Sequence, residues 1–274
     1  MRYKRNELID MLRETKKRNG YIIAAGAGSG LSAKSIEKGG ADLLMVFNSG
    51  YYRMQGHGSL SGWMPLGNAN DVAMELGKKW VLPITKKVPV ICSVFAQDVT
   101  RVISDYLDDV IDAGFSGVNN FPTMGMIDGN FREQLEITGF SYDKEVEMVR
   151  LCKDKDIFTI VYVFNEKESE QMAKAGADVI VSHVGLTVGG AVGTKKAVTI
   201  EESAAITKRI IESGKKYQPE ALWLVHGGPL ATPSDFKKFL EYLPDIDGFV
   251  GASSMERIPT ERSISATVEE FKRI

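Results

Sequence analysis

The sequence predicts an α/β protein built as one (β/α)8 TIM barrel over residues 1–274, with an extra N-terminal helix and long loops after the second and fourth strands. Three observations predict it. Eight apolar, β-branched runs alternate with stretches of helical periodicity, and near-continuous hydrophobic runs suit parallel strands covered on both faces. A phrase recurs, LysGlyGlyAlaAsp at 38–42, AlaGlyPheSerGly at 113–117 and LysAlaGlyAlaAsp at 174–178, each placing glycine where a helix cap belongs. Each apolar run also ends in a cluster of Gly, Asn, Asp, Ser or His, and parallel strands gather such ends on the face where barrels carry their chemistry.

Taken in order, residues 5–18 form an amphipathic helix with Leu8, Met11 and Leu12 on one side, stopping at Asn19-Gly20. The strands follow at 21–27, 41–47, 88–95, 116–121, 158–164, 178–183, 221–226 and 248–252. Between them the 3.6-residue pattern returns, as in Val102, Ile103, Tyr106, Leu107 and Val110. An open doubly wound sheet is the rival arrangement, but Gly26-Ala27-Gly28-Ser29-Gly30-Leu31 puts leucine where the third glycine of a dinucleotide fingerprint belongs. The second strand ends at Phe47-Asn48 without an acid. The glycines therefore read as a tight turn of a barrel.

Composition narrows the partners. With 43% hydrophobic residues, 26% charged residues and a net charge of -2, the chain is ordinary globular protein, without the basic excess of a nucleic-acid or membrane-surface binder. Cys92 and Cys152 form neither a disulfide framework nor a metal spacing, and reduced thiols in a cytoplasmic protein are expected. The first twenty residues lack the apolar core of a signal peptide, and no run is apolar for the length of a membrane helix.

The strand ends carry the candidate chemistry. His183 and His226 close the sixth and seventh strands and, if both point inward, reach one ligand, because neighbouring strands lie about 4.8 Å apart. His57 lies in the glycine-rich loop 49–70 with Tyr51, Tyr52, Trp63 and Met64. Zinc is disfavoured, since no HxH or HExxH spacing exists. Asp98 and Glu166 can each serve as base or as magnesium ligand, Asp98 being the preferred metal ligand, or both simply begin helices where the dipole favours an acid. The amides Asn48, Gln97, Asn119, Asn120 and Asn165 suit a polar organic ligand. Strand alternation puts one of Asn119 and Asn120 inside the barrel without saying which. After the last two strands, Gly227, Gly228, Gly251, Ser253 and Ser254 read as an anion cradle, placed where barrels often hold phosphate. Gly185 to Lys196 breaks the Walker spacing and reads as a flexible lysine-bearing loop.

The stretches FNSGYYRMQGHGSLSGWMPLGNAN, GVNNFPTMGMIDGNFR, YVFNEKE, VSHVGLTVGG, HGGP and GFVGASSMERIPTE together resemble the phosphoenolpyruvate hydrolase-like family, also described as a predicted TIM-barrel signal-transduction family and related to the C-terminal domain of the plant tobamovirus-resistance protein. The resemblance implies a phosphoenolpyruvate- or pyruvate-like ligand in a barrel similar to the phosphoenolpyruvate mutase and isocitrate lyase group, whose members hold magnesium with several strand-end acids. Here only Asp98 and Glu166 stand at such positions.

The leading expectation is therefore an enzyme, of hydrolase or lyase type, for a small phosphorylated or carboxylated oxoacid. Its ligand would be oriented by Asn48 and Asn120, with His183 or His226 transferring a proton. The rival is a non-catalytic ligand-sensing or interaction barrel. In either case loop 49–70 is the expected contact of a homo-oligomer. A Schiff-base lysine is disfavoured, as no strand interior carries one.

Overall fold

A computed structural model describes residues 3–274. Eight strands, β1 (Ile22–Gly26), β2 (Leu43–Val46), β3 (Val90–Val94), β4 (Gly117–Asn120), β5 (Phe158–Val163), β6 (Val179–His183), β7 (Leu222–His226) and β8 (Gly248–Gly251), close as a parallel barrel in sequence order. The eighth strand pairs with the first through Ile22↔Gly248 to Ala25↔Gly251. Alternation sorts the side chains. Ile22, Leu43, Ile91, Ile160, Val181 and Leu224 fill the interior, while Val46, Val90, Cys92 and Val118 pack outward with helical residues such as Leu107 and Met148.

The predicted N-terminal helix is α1 (Arg5–Asn19). Leu8 and Leu12 are buried in the same cluster as the barrel interior, whereas Met11 is 39% exposed. Arg5 fixes the helix by donating from Nη2 to Asp178 at 2.7 Å, and Asp178 in turn accepts from the backbone N–H of Thr159 at 3.0 Å. Lys16 pairs with Asp247, which accepts from the backbone N–H of Trp223 at 2.7 Å. Two acids at strand beginnings thus tie α1 across the amino end, leaving the carboxyl end for the site.

Among the described residues ten more α-helices follow: α2 (Gly30–Lys38), α3 (Asn48–Met54), α4 (Ala69–Leu76), α5 (Ile103–Asp112), α6 (Gly129–Ile137), α7 (Asp143–Asp154), α8 (Glu166–Ala175), α9 (Ile200–Lys215), α10 (Pro233–Tyr242) and α11 (Arg257–Lys272). The glycine-rich turn after β1 is tight, as expected, and Ser29 caps α2 by accepting from the N–H of Ser32 at 3.2 Å. Both long connections are more ordered than the sequence suggests. Residues 49–70 include α3 and a 3-10 turn at Ser59–Trp63, and the connection after β4 contains α6. Gly50 does not break α3, because glycine is needed there: a Cβ at Gly50 would lie 3.2 Å from the Cα of Gly28, and one at Gly28 would collide with the carbonyl of Gly50 at 1.9 Å. Among the described residues no helix is long and apolar enough to cross a membrane.

Candidate active site

At the carboxyl end, β6 and β7 are in register with His183 beside His226. Both share the parity of the inward residues Val181 and Leu224, so both rings enter the barrel mouth. Their centroids are 4.7 Å apart at 66°. Tyr162 approaches them at 5.3 and 5.2 Å, and Phe164 stacks on His183 at 4.6 Å. Tyr162, His183 and His226 line a small cavity of about 30 Å3, enough to hold a water. Its walls include Phe47, Phe121 and Trp63, while Leu186 and Thr187 reach it from the loop after β6. A larger groove of about 780 Å3 runs between α4 and α5, but Asp71, Lys78, Arg101 and Asp105 line it and no strand end reaches it.

The two imidazoles have opposite hydrogen-bonding sense. His183 Nδ1 accepts from the N–H of Gly185 at 3.2 Å, so its proton resides on Nε2. His226 Nδ1 lies 2.8 Å from the carbonyl oxygen of Val250, which only accepts, so the proton is on Nδ1 and Nε2 keeps its lone pair. Burial holds both rings neutral. It lowers His183 well below its ordinary 6.5, helped by His226, and lowers His226 to about 4 against the bond to Val250. One neutral ring is a donor and the other a base, 4.7 Å apart.

Two charged residues that sequence reasoning passed over stand beside them. Arg53 of α3 lines the cavity and is 3% exposed. It donates from Nη2 to Glu256 Oε1 at 3.1 Å and from Nη1 to Ser49 at 2.9 Å. Glu256, itself buried, accepts from the N–H of Gly28 at 2.6 Å through its other oxygen. Burial pushes the Glu256 carboxyl up, and Arg53 opposes that shift. Their only sequence signal was a charge at the centre of each of two glycine- and serine-rich phrases.

The expected site residues distribute unevenly. Ser253 lines the cavity with the histidines. Asn48 is buried without lining the cavity, and its amide is engaged by the chain, donating to the carbonyl of Gly62 and accepting from the N–H of Ser49, both at 2.8 Å. Asn120, expected to orient a ligand, faces outward instead, because β4 alternates with Val118 and Asn120 on the outer side. It donates to Glu145 at 2.6 Å and accepts from the N–H of Tyr162 at 2.7 Å, leaving Asn119 as the inner amide.

Asp98 is not brought to the cavity. It borders a groove with Arg101 and Lys144, and accepts from Asn68 and Asn70 at 2.9 Å and from the Thr100 hydroxyl at 2.6 Å. Although burial alone would raise this carboxyl, those bonds hold it down at about 2. Glu166 starts α8 at the surface and pairs with Arg209 at 2.8 Å.

The glycine cradle is closed by the protein itself. Gly227 and Gly228 adopt φ of +86° and +56°, the Gly228 N–H donates to the carbonyl of Gly185 at 2.8 Å, and the Gly228 carbonyl accepts from Val188 at 3.1 Å. Gly251 is required because a Cβ there would meet Met255 at 2.4 Å. The Ser254 hydroxyl is buried without a partner. A Gly227→Ala variant combines the unfavourable φ with a Cβ 2.1 Å from the Gly185 carbonyl. It is expected to lose at least about 1–3 kcal/mol in urea unfolding, and an unchanged midpoint would show that the two loops separate in solution.

Behind the cavity, buried carboxylates hold its walls. Glu145 of α7 accepts from the N–H of Met124 at 2.7 Å and from Gln97 at 3.0 Å, as well as from Asn120. The Thr123 carbonyl of the same loop accepts from the indole N–H of Trp63 at 3.0 Å. Glu168 accepts from the N–H of Phe164 at 2.8 Å, setting the ring that stacks on His183. Burial raises Glu145 to about 7 against its bonds, opposite in sense to His226. The stability contributions therefore oppose one another. His226, at about 4 folded and 6.5 ordinarily, contributes fully above 6.5 and is lost as pH falls through 4. Glu145, at about 7 folded and 4.5 ordinarily, contributes fully below 4.5 and is lost as pH rises through 7. Glu145→Gln is expected to remove the decline in unfolding free energy toward pH 7, and an identical pH profile would show that Glu145 is not buried as a titrating acid.

The closed parallel barrel places the chain among α/β barrel proteins, and the chain belongs to the phosphoenolpyruvate hydrolase-like family, whose model matches residues 7–274. It is 43% identical over 271 residues to the ToMV resistance protein Tm-1(GCR237) of Solanum lycopersicum, covering 99% of this chain and 36% of that protein. The chain thus spans about a third of that relative. Among solved structures, an oxaloacetate acetylhydrolase aligns with TM-score 0.64 at 13% identity, over 98% of this chain and 87% of that one. A phosphonopyruvate hydrolase complexed with oxalate and Mg++ aligns with TM-score 0.58 at 15% identity, over 97% and 86%. These likenesses establish the barrel architecture.

The magnesium held by that hydrolase does not fit the residues present here. The cavity lining contains no carboxylate, Asp98 lies elsewhere with its oxygens occupied, and Glu256 is bound by Arg53 and Gly28. Among the described residues no group of three or more His, Cys, Asp or Glu is placed to hold a metal.

Proposed function

We propose that the carboxyl-face cavity binds and transforms a small carboxylated or phosphorylated oxoacid, with His226 as the base and His183 as the proton donor. The observation that carries this reading is the pair of neutral imidazoles of opposite sense. His226 Nε2 can take a proton from the ligand while the Nε2–H of His183 supports the oxygen on which negative charge develops. Ser253 adds a hydroxyl on the same wall. The cavity holds about 30 Å3, and outward movement of Leu186 and Thr187, on the loop that carries Gly185, Gly189 and Gly190 at positive φ, would enlarge it for such a ligand.

The test is a thermal-shift panel of phosphoenolpyruvate, oxaloacetate and phosphonopyruvate. A ligand at a hundred times its Kd adds about 2.7 kcal/mol and raises Tm by roughly 5 °C or more. No shift with any member would overturn the reading. A non-catalytic sensing or interaction barrel is the second reading. It is favoured by exposed Tyr51, Leu60, Met64 and Leu66 on loop 49–70, the proposed contact with a second copy, and by the resistance role in the tomato relative's name. Tight binding without turnover, together with self-association lost on Leu60→Ser, would select it.

A further inference from the structure

The geometry points to Arg53 as the anion receptor of this cavity, taking the carboxylate of the ligand on its guanidinium without a metal ion. The inference rests on the oxoacid reading above and adds to it the group that recognises the acid.

The Arg53–Glu256 pair is oriented. Arg53 lines the cavity, whereas Glu256 does not; it lies on the opposite side, bordering the outer groove between α2 and α11. The ion pair therefore turns its cation toward the ligand space and its anion away. A guanidinium carries five N–H donors. Two are taken by Glu256 and one by Ser49, which leaves two for a ligand. A planar fork with free N–H groups matches a carboxylate better than a point charge does.

The positive charge also reaches the reacting end of the cavity. After burial, Arg53 is a further cause lowering His226, and it opposes the upward push of burial on Tyr162. With both imidazoles neutral, Arg53 supplies the cationic side chain among the cavity-lining residues. The same charge, in a wall without carboxylates, repels a magnesium ion. Where a metal would bridge protein acids and ligand oxygens, this barrel places a fixed guanidinium and tempers it from behind with Glu256.

Calorimetric titration of the whole protein with oxalate, after chelator treatment and again with magnesium, tests the assignment. The expected Kd is the same in both conditions to about twofold, with Arg53→Lys weakening binding roughly tenfold or more. Glu256→Gln removes the competing charge while keeping a carbonyl acceptor, and is expected to tighten binding severalfold. Should Arg53→Lys fail to fold, the Glu256→Gln arm decides alone. Binding that requires magnesium, is indifferent to Arg53→Lys, or weakens in Glu256→Gln overturns the metal-free receptor while the oxoacid reading stands. No oxalate binding in either condition overturns that reading and the receptor with it.

Discussion

Replacing His226 by asparagine is expected to lower turnover of any accepted oxoacid by about 10²–10⁴-fold, the usual contribution of a positioned acid–base group. Folding should be little changed, because the Asn amide can donate to the Val250 carbonyl as Nδ1–H does now at 2.8 Å. The pH profile separates a base from a packing residue. A ring lowered to about 4 is already neutral at pH 5, so kcat/KM should show no ascending limb near 6.5. His183→Asn should also lose turnover, since its amide oxygen can still accept from Gly185 but the Nε2–H is gone. Undiminished turnover in His226→Asn, or a limb centred near 6.5, would remove His226 from the mechanism.

Why this pair was legible, and its charged neighbours were not, follows from what a linear pattern encodes. The barrel is written in periodicity: apolar runs and glycine stops define each βα unit, and β6 and β7 end in histidine after inward-facing aliphatics, so parity alone aims both rings. The four-residue strand GlyValAsnAsn offers no such alternation of polarity, and only packing against α7 shows that Asn119 is the inner amide. Glycine composition was a poorer guide. Gly227 and Gly228, read as an anion cradle, adopt positive φ, and their polar groups are consumed by the neighbouring loop. Asp98 illustrates the same limit, because a strand-end acid carries no mark showing that Asn68, Asn70 and Thr100 will occupy its oxygens. Arg53 and Glu256 are separated by 203 positions, and each sits in a phrase whose glycines draw attention first. Their meeting depends on Gly28 and Gly50 touching, a contact that exists only once β1, β2 and β8 have closed the barrel.

That dependence gives the second large expected effect. Arg53→Met removes the cation but leaves Glu256, whose side chain is fully buried, with the Gly28 N–H at 2.6 Å and the Ser32 hydroxyl as its remaining partners. Breaking a buried ion pair from one side costs about 3–5 kcal/mol, because the remaining charge is uncompensated. The deficit should depend on pH in a definite sense. Burial already raises Glu256, and without Arg53 it rises further. A carboxyl raised in the folded state contributes its stability below the unfolded value and loses it as pH rises through the folded one. Arg53→Met should therefore approach wild-type stability below the ordinary 4.5 and fall away from it toward neutrality. The double variant Arg53→Met/Glu256→Gln should recover much of the loss at neutral pH, since neither charge then remains buried alone. Urea unfolding of the wild type, both single variants and the double variant closes the cycle. A loss below about 1 kcal/mol in Arg53→Met, the range of an exposed pair, would mean that water reaches the pair. The guanidinium would then be screened, and its strength as an anion receptor would be lost with its burial.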